Sequence, residues 1–223
     1  MIKLTKTEVH GWEPAIRGMR NPMNSWHIMD SDWEFVEDPS VINPNDEVKF
    51  VLGPNDADLM QRLCKGGPVH AKFRRMIKVW VDIEAPLYWW KEFDTYKVGT
   101  TANSCSTMHK IHAKEFTLAD FSHEKLYPEA TDNVLKPTIM WLNYYRDQYL
   151  SSKNKRDWEQ LVQLLPTTYN QLRTVELNYE VLHNIYHSRL NHKLDEWHEV
   201  CRWIENLPYS WIITGKEIEN GET

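Results

Sequence analysis

Asn178-Tyr179-Glu180-Val181-Leu182-His183-Asn184-Ile185-Tyr186-His187-Ser188-Arg189 threads two amides and an arginine through an apolar helical pattern. At about 100° per residue, Asn178 and Arg189 stand roughly 20° apart on one helix face. Ile185 lies near that line, with Val181 and Leu182 flanking it. Side chains able to read an amide edge or an anion are thus set into a surface that otherwise reads as core. Two readings stay open at this point. Asn178 suits a helix N-cap and Arg189 a solvated charge at the helix end, or both face a ligand.

Working outward, Arg173-Thr174-Val175-Glu176-Leu177 reads as a strand feeding this helix, and Leu165-Pro166 ends an earlier one. Upstream, residues 137–151 and 154–165 read as two helices separated by Ser151-Ser152-Lys153-Asn154. Thr117-Leu118-Ala119-Asp120 resembles a capping box that opens a short helix. The clearest strand is Ile77-Lys78-Val79-Trp80-Val81-Asp82-Ile83, whose β-branched residues share one face. Pro86 then suits the first turn of an aromatic helix reaching Lys97. After it, Gly99 to Thr107 is a loop of hydroxyls and amides, equally a solvated turn or a seat for a phosphate or ribose. Residues 2–9 read as a strand, with a short helix after Pro14. Gly53-Pro54 opens a helix that ends at Gly66-Gly67. Leu194, Trp197, Cys201 and Ile204 mark one face of a last helix, stopped by Pro208. Between Asn24 and Lys49 the chain is acidic, carries Pro39 and Pro44, and lacks a sustained period. That predicts a loop or lid inserted at about 24–48 in a single domain spanning 1–223.

Composition narrows the function classes. A mean hydropathy of -0.63 and the lack of a long apolar run argue against a membrane span. The opening Met1-Ile2-Lys3-Leu4-Thr5-Lys6 has no apolar signal region, which points to the cytoplasm. A net charge of -6 argues against a broad nucleic-acid surface while leaving room for a small anion pocket. Cys64, Cys105 and Cys201 are odd in number and far apart, as reduced thiols would be. His183 and His187, four apart, and His109 and His112, three apart, have spacings that can grip a metal. The residue after His183 is Asn184, so the zinc-protease signature fails, and no ligand set accompanies the pairs; no metal is expected. Gly-x-Ser-x-Gly, Walker and Rossmann patterns are all missing.

The order strand, Ile83-Glu84-Ala85-Pro86, helix, hydroxyl-rich loop, then Leu165-Pro166, strand and an Asn-to-Arg helix resembles the flavin-dependent thymidylate synthases. Two blocks carry the similarity, Val79 to His109 and Leu165 to about Val200. The resemblance implies an α+β fold, a central antiparallel sheet flanked by helices, assembled as a homotetramer with sites shared between subunits. It implies FAD as cofactor, with NADPH and methylenetetrahydrofolate as co-substrates and a pyrimidine nucleotide, dUMP, as acceptor. Arg189 matches the arginine on the uracil ring, a substrate-binding and catalytic role in which a fixed guanidinium stabilises developing charge. Ser106 and Glu92 fall on the nucleotide side. Thr95, Tyr96, Lys97, Asn103, Asn178, Asn184 and His192 fall on the flavin side.

The chain also departs from the family. The Arg-His-Arg triplet reads Thr95-Tyr96-Lys97, and Lys97 cannot reproduce a bidentate arginine fork. Glu92 replaces a glutamine, Met108-His109 replaces an Arg-Tyr, and Val162 replaces an arginine. Each lost charge-assisted contact removes roughly 1.5–3 kcal/mol. The expectation is a divergent enzyme making dTMP from dUMP, or a non-catalytic homologue that binds a flavin or nucleotide or acts through protein contacts.

Overall fold

A computed structural model describes residues 2–35 and 48–216. Four strands, β1 (Lys3–His10), β4 (Lys78–Pro86), β5 (Thr101–Ser104) and β6 (Asn170–Asn178), form one sheet in the order β1-β4-β6-β5. The cross-strand contacts run in opposite senses: Lys3 meets Glu84 and Lys6 meets Asp82, while Thr174 meets Asp82 and Glu176 meets Lys78. The sheet is therefore antiparallel. Ile77, Val79, Val81 and Ile83 are all buried, as their two-residue period requires. This strand runs on to Pro86, past the point where the sequence suggested it would stop.

The chain divides into two compact units. One comprises residues 1–7, 81–97 and 101–175. It holds the aromatic helix α3 (Leu87–Phe93), the single turn α4 (Pro128–Ala130), and the pair α5 (Lys136–Ser152) and α6 (Lys155–Leu164). Ile111, Phe116, Phe121, Leu135, Ile139, Leu142 and Leu161 make its core, with Trp158 and Tyr169 packed on them. Thr117 and Asp120 form the expected capping box, and Asn154 caps α6 by accepting from Arg156 N at 3.0 Å. The first amides of α3 lack helical partners, and Leu87 N and Tyr88 N donate instead to the carbonyls of Tyr169 and Thr167, each at 3.0 Å. Helix α3 ends four residues before Lys97, leaving Thr95-Tyr96-Lys97 in the turn beyond it. The 99–107 loop likewise contains β5, which pairs at the sheet edge; small polar residues hid a strand that backbone pairing stabilises.

The second unit comprises 8–80, 98–100 and 176–223. It contains α1 (Trp12–Arg20), α2 (Pro54–Lys65), α7 (Tyr179–Arg189), α8 (Asp195–Glu205) and α9 (Trp211–Thr214). Trp12 stacks on Phe50 at 5.7 Å and meets Tyr179 and Tyr209 edge-on at 5.4 and 5.3 Å. The segment expected to be a loop or lid differs from that expectation where it is described. Its strands β2 (Asp32–Phe35) and β3 (Val48–Val51) pair antiparallel, Asp32 opposite Val51; residues 36–47 lie outside the described residues. Its early part is tied to α2. Asp30 accepts from Asn55 N and Asp56 N at 2.8 and 3.1 Å, satisfying two amides at the helix start. Gly53 permits this approach, because a Cβ there would lie 2.3 Å from Asp30. Asp56, fully buried, accepts from Ser31 Oγ at 2.7 Å and pairs with buried Arg20 at 2.6 Å.

Candidate functional site

In the unit that holds α3, the expected residues gather around the end of that helix and the strand β5. Thr95 Oγ1 donates to the Glu92 carbonyl at 2.7 Å and Thr95 N donates to it at 3.2 Å, closing the last turn. Glu92 is half-buried, Thr95 and Lys97 are exposed, and Tyr96 is half-buried with its ring 6.4 Å from Phe93. Trp89 and Trp90 are fully buried and belong to the core, so neither offers a face to a ligand. Asn103 is exposed on β5. Ser106 is half-buried, and its Oγ accepts from Met108 N at 3.1 Å and His109 N at 2.8 Å. That hydroxyl folds its own loop, leaving its proton as the group available for a further acceptor.

Arg173, read from the sequence only as part of a strand, organises this end of the unit. Its guanidinium lies 4.1 Å from the Trp90 ring. Its Nη1 donates to Asp94 Oδ1 at 2.7 Å and its Nε to Gln171 Oε1 at 3.0 Å. Gln171 Nε2 then donates to the Cys105 carbonyl at 2.7 Å, and Trp90 Nε1 to the Gln171 carbonyl at 3.0 Å. One cation thus links the α3 terminus to the start of the serine loop. An arginine on a strand's polar face carries no sequence signal for such a role; only the partners reveal it.

In the other unit, β6 passes directly into α7. Asn178 is buried and caps that helix, its Oδ1 accepting from Val181 N at 3.0 Å. Its Nδ2 reaches the Gly99 carbonyl at 3.5 Å. Gly99 has φ +77°, and a Cβ there would stand 2.9 Å from Asn178 Nδ2, so a side chain is excluded twice over. Of the two readings left open for Asn178, the N-cap is the one observed. Asn184 is exposed, one turn and a half further along α7. Arg189, half-buried, holds its guanidinium 4.8 Å from the ring of the fully buried Trp197, which fixes its direction rather than leaving it solvated. His192 is half-buried; its Nδ1 accepts from Leu194 N at 3.1 Å, and its ring stands 6.3 Å from Trp197.

The histidine pair of α7 and the buried thiols fit structural roles. His183 Nδ1 pairs with the Ile213 carbonyl at 2.7 Å, and the His183 and His187 rings stand 4.3 Å apart. Burial pushes the His183 imidazole below its ordinary value, opposed by that carbonyl. Among the described residues no group of three or more His, Cys, Asp or Glu side chains is placed to hold a metal. Burial pushes the Cys201 thiol up to about 11, with Glu205 adding to it, and burial also raises Cys64. Neither supplies a thiolate at neutral pH. No helix among the described residues is long and apolar enough to cross a membrane.

No family model matches the chain, and no curated protein matches it. Solved structures do. Thymidylate synthase X from Helicobacter pylori with FAD and dUMP superposes with a TM-score of 0.64 at 14% identity, over 96% of this chain and 97% of that one. A second structure, the flavin-dependent thymidylate synthase ThyX from Helicobacter pylori complexed with FAD and dUMP, gives 0.62 at 14% identity, over 95% and 97%. At that identity the likeness speaks to architecture: along nearly its whole length, the chain has the fold of the flavin-dependent thymidylate synthases.

Proposed function

We propose that this chain is a divergent flavin-dependent thymidylate synthase-like enzyme that transfers a one-carbon unit from methylenetetrahydrofolate to dUMP, giving dTMP, with FAD supplying the relay and NADPH the reducing equivalents. The observation that carries this reading is the β6–α7 junction within a fold shared over nearly the whole chain with enzymes solved with FAD and dUMP. There Arg189 is held in one direction by Trp197 instead of trailing into solvent.

The residues fit a flavin nucleotide in part. Lys97, Asn103 and Asn184 are exposed and can donate to a nucleotide, and the Tyr96 ring can stack on a planar system. Thr95 and His192 each hold a turn in their own unit, through the Glu92 carbonyl and Leu194 N. Asn178 contributes chiefly by starting α7 at a fixed angle. Glu92 and Ser106 belong to the nucleotide side, Ser106 with one hydroxyl proton for a phosphate oxygen. Arg189 is the catalytic candidate: a permanent cation at the uracil stabilises negative charge as it develops. The assembly proposed is a homotetramer in the cytoplasm, with each site shared between subunits.

A second reading, a non-catalytic homologue that binds flavin or nucleotide, is favoured by a specific observation. The hydrogen-bonding atoms of Ser106 and Asn178 already serve the backbone, and the α3 terminus carries one lysine instead of two arginines. Absorbance separates the two. An active synthase purifies yellow, with flavin bands, and rescues a thymidine-requiring bacterium; Arg189→Ala abolishes the rescue. A yellow protein without rescue supports the binding homologue, as does a colourless protein that gains thermal stability from dUMP but none from FAD, and a colourless protein stabilised by neither removes both.

A further inference from the structure

Within the unit that holds α5, basic side chains cluster outside every residue assigned above: His112 and Lys153 meet the Tyr149 ring, and Lys110 and Arg146 bring further positive charge to His112. Arg146 and Tyr149 are three residues apart on the last turns of α5, and Lys153 follows as the left-handed C-cap of that helix, with φ +56°. Lys110 and His112 flank Ile111, whose side chain is anchored in the core of the same unit. The His112 ring meets Tyr149 edge-on at 4.9 Å, and Lys153 Nζ stands 5.6 Å from the centre of that ring.

Two atoms in this cluster lack a counterpart. His112 Nδ1 and Arg146 Nε are shielded from solvent, and neither has a hydrogen-bond partner among the described residues. Arg146 uses Nη1 for Asp147 at 2.7 Å, a carboxylate that is mostly exposed. Lys110 and Lys153 pair with no carboxylate among the described residues. A lysine at the end of a helix is ordinarily explained by the helix dipole. That explains Lys153, but it leaves a buried guanidinium nitrogen and a buried imidazole nitrogen unsatisfied, which is costly unless an acceptor arrives. Mutual repulsion among the cations adds to the cost and is relieved by negative charge.

We propose that Lys110, His112, Arg146 and Lys153 form an anion site over Tyr149 that takes a phosphoryl group. Arg146 Nε and a protonated His112 Nδ1 donate to its oxygens, and the two lysines supply long-range charge. The pH behaviour follows from the same contacts. Burial first, then Lys153, Lys110 and Arg146, push the His112 imidazole below its ordinary value; on α5 the Tyr149 ring stands beside it, and Asp147 pairs with Arg146. A bound dianion reverses that push, so binding strengthens as the pH falls.

Calorimetry on the full chain tests this with inorganic pyrophosphate for affinity and with sulfate, whose charge stays constant between pH 6 and pH 8, for the pH arm. One saturable site is expected, with sulfate bound severalfold more tightly at pH 6 than at pH 8. Arg146→Gln weakens pyrophosphate roughly tenfold, the loss of one charge-assisted contact, and Lys153→Gln weakens it about threefold through the loss of long-range charge. His112→Gln removes the pH dependence. Should His112→Gln fail to fold, the wild-type imidazole resonances in NMR serve instead, one of them titrating at higher pH when sulfate is present. Displacement of pyrophosphate by dUMP assigns the site to a nucleotide phosphate, and no displacement assigns it to a free phosphate species. Absence of saturable binding, or unchanged affinity in the Arg146→Gln, Lys153→Gln double variant, overturns the proposal. FAD binding is measured on the same variants and is expected to be unchanged, so failure of this site and failure of the flavin reading give different results.

Discussion

Asp56 shows how one side chain fastens a segment that lacks regular periodicity. Burial drives its carboxyl up, but hydrogen bonds from Ser31 and the Asp30 amide, together with Arg20, outweigh that and hold it below the usual carboxylate value. Arg20 and Asp56 are each almost wholly inaccessible, so removing one partner leaves an uncompensated charge in a dry site. Asp56→Asn is therefore expected to cost about 3–5 kcal/mol in urea unfolding at pH 7. The sign with pH follows from a folded-state pKa lowered below the unfolded one. The contribution is complete above the ordinary aspartate range and is lost as pH falls from there through the lowered folded-state value, so the difference between wild type and Asp56→Asn shrinks in strong acid. Unchanged stability at pH 7 would show that the pair does not hold the segment. In the sequence, Arg20 and Asp56 are two ordinary charges 36 positions apart. Nothing local distinguishes them from solvated ones.

Helix α7 is where the reading of an element bears on function. Asn178 lies between β6 and α7, and its carbonyl oxygen meets the Val181 amide that the helix start leaves over. Asn178→Ala is expected to lose about 1 kcal/mol of stability through the missing cap. Asn178→Asp keeps the capping oxygen and removes only the amide donor. If flavin affinity falls in Asn178→Asp while thermal stability holds, the residue also contacts the cofactor; if neither changes, it is a cap alone. Elements with a long period were legible: α5, α6 and α8 follow their apolar spacing, and α2 runs from Pro54 to Lys65 between its proline and glycine signals. Short ones were not. Strand β5 is Thr101-Ala102-Asn103-Ser104, all exposed, and exists because a neighbouring strand offers backbone partners. Helix α9 is four buried residues, too few to display any period.

For the whole molecule, the likeness to solved structures supports architecture over almost the full length, at 14% identity. The proposed homotetramer makes a direct prediction: sedimentation equilibrium gives four times the chain mass of 26.6 kDa, and dilution to monomers abolishes flavin binding. A monomer that binds FAD fully would remove the shared-site arrangement. The sequence by itself determined the strand with four inward β-branched residues, the helix–Leu-Pro–strand–helix order and the capping residues, because periodicity and helix-end chemistry act over a few positions. Only the tertiary structure decided that Arg173 stacks on Trp90, that Arg20 is buried against Asp56, and that basic side chains from two separate segments meet at Tyr149. Those contacts join residues far apart in the chain, and their energies depend on burial and distance, which exist only once the chain has folded.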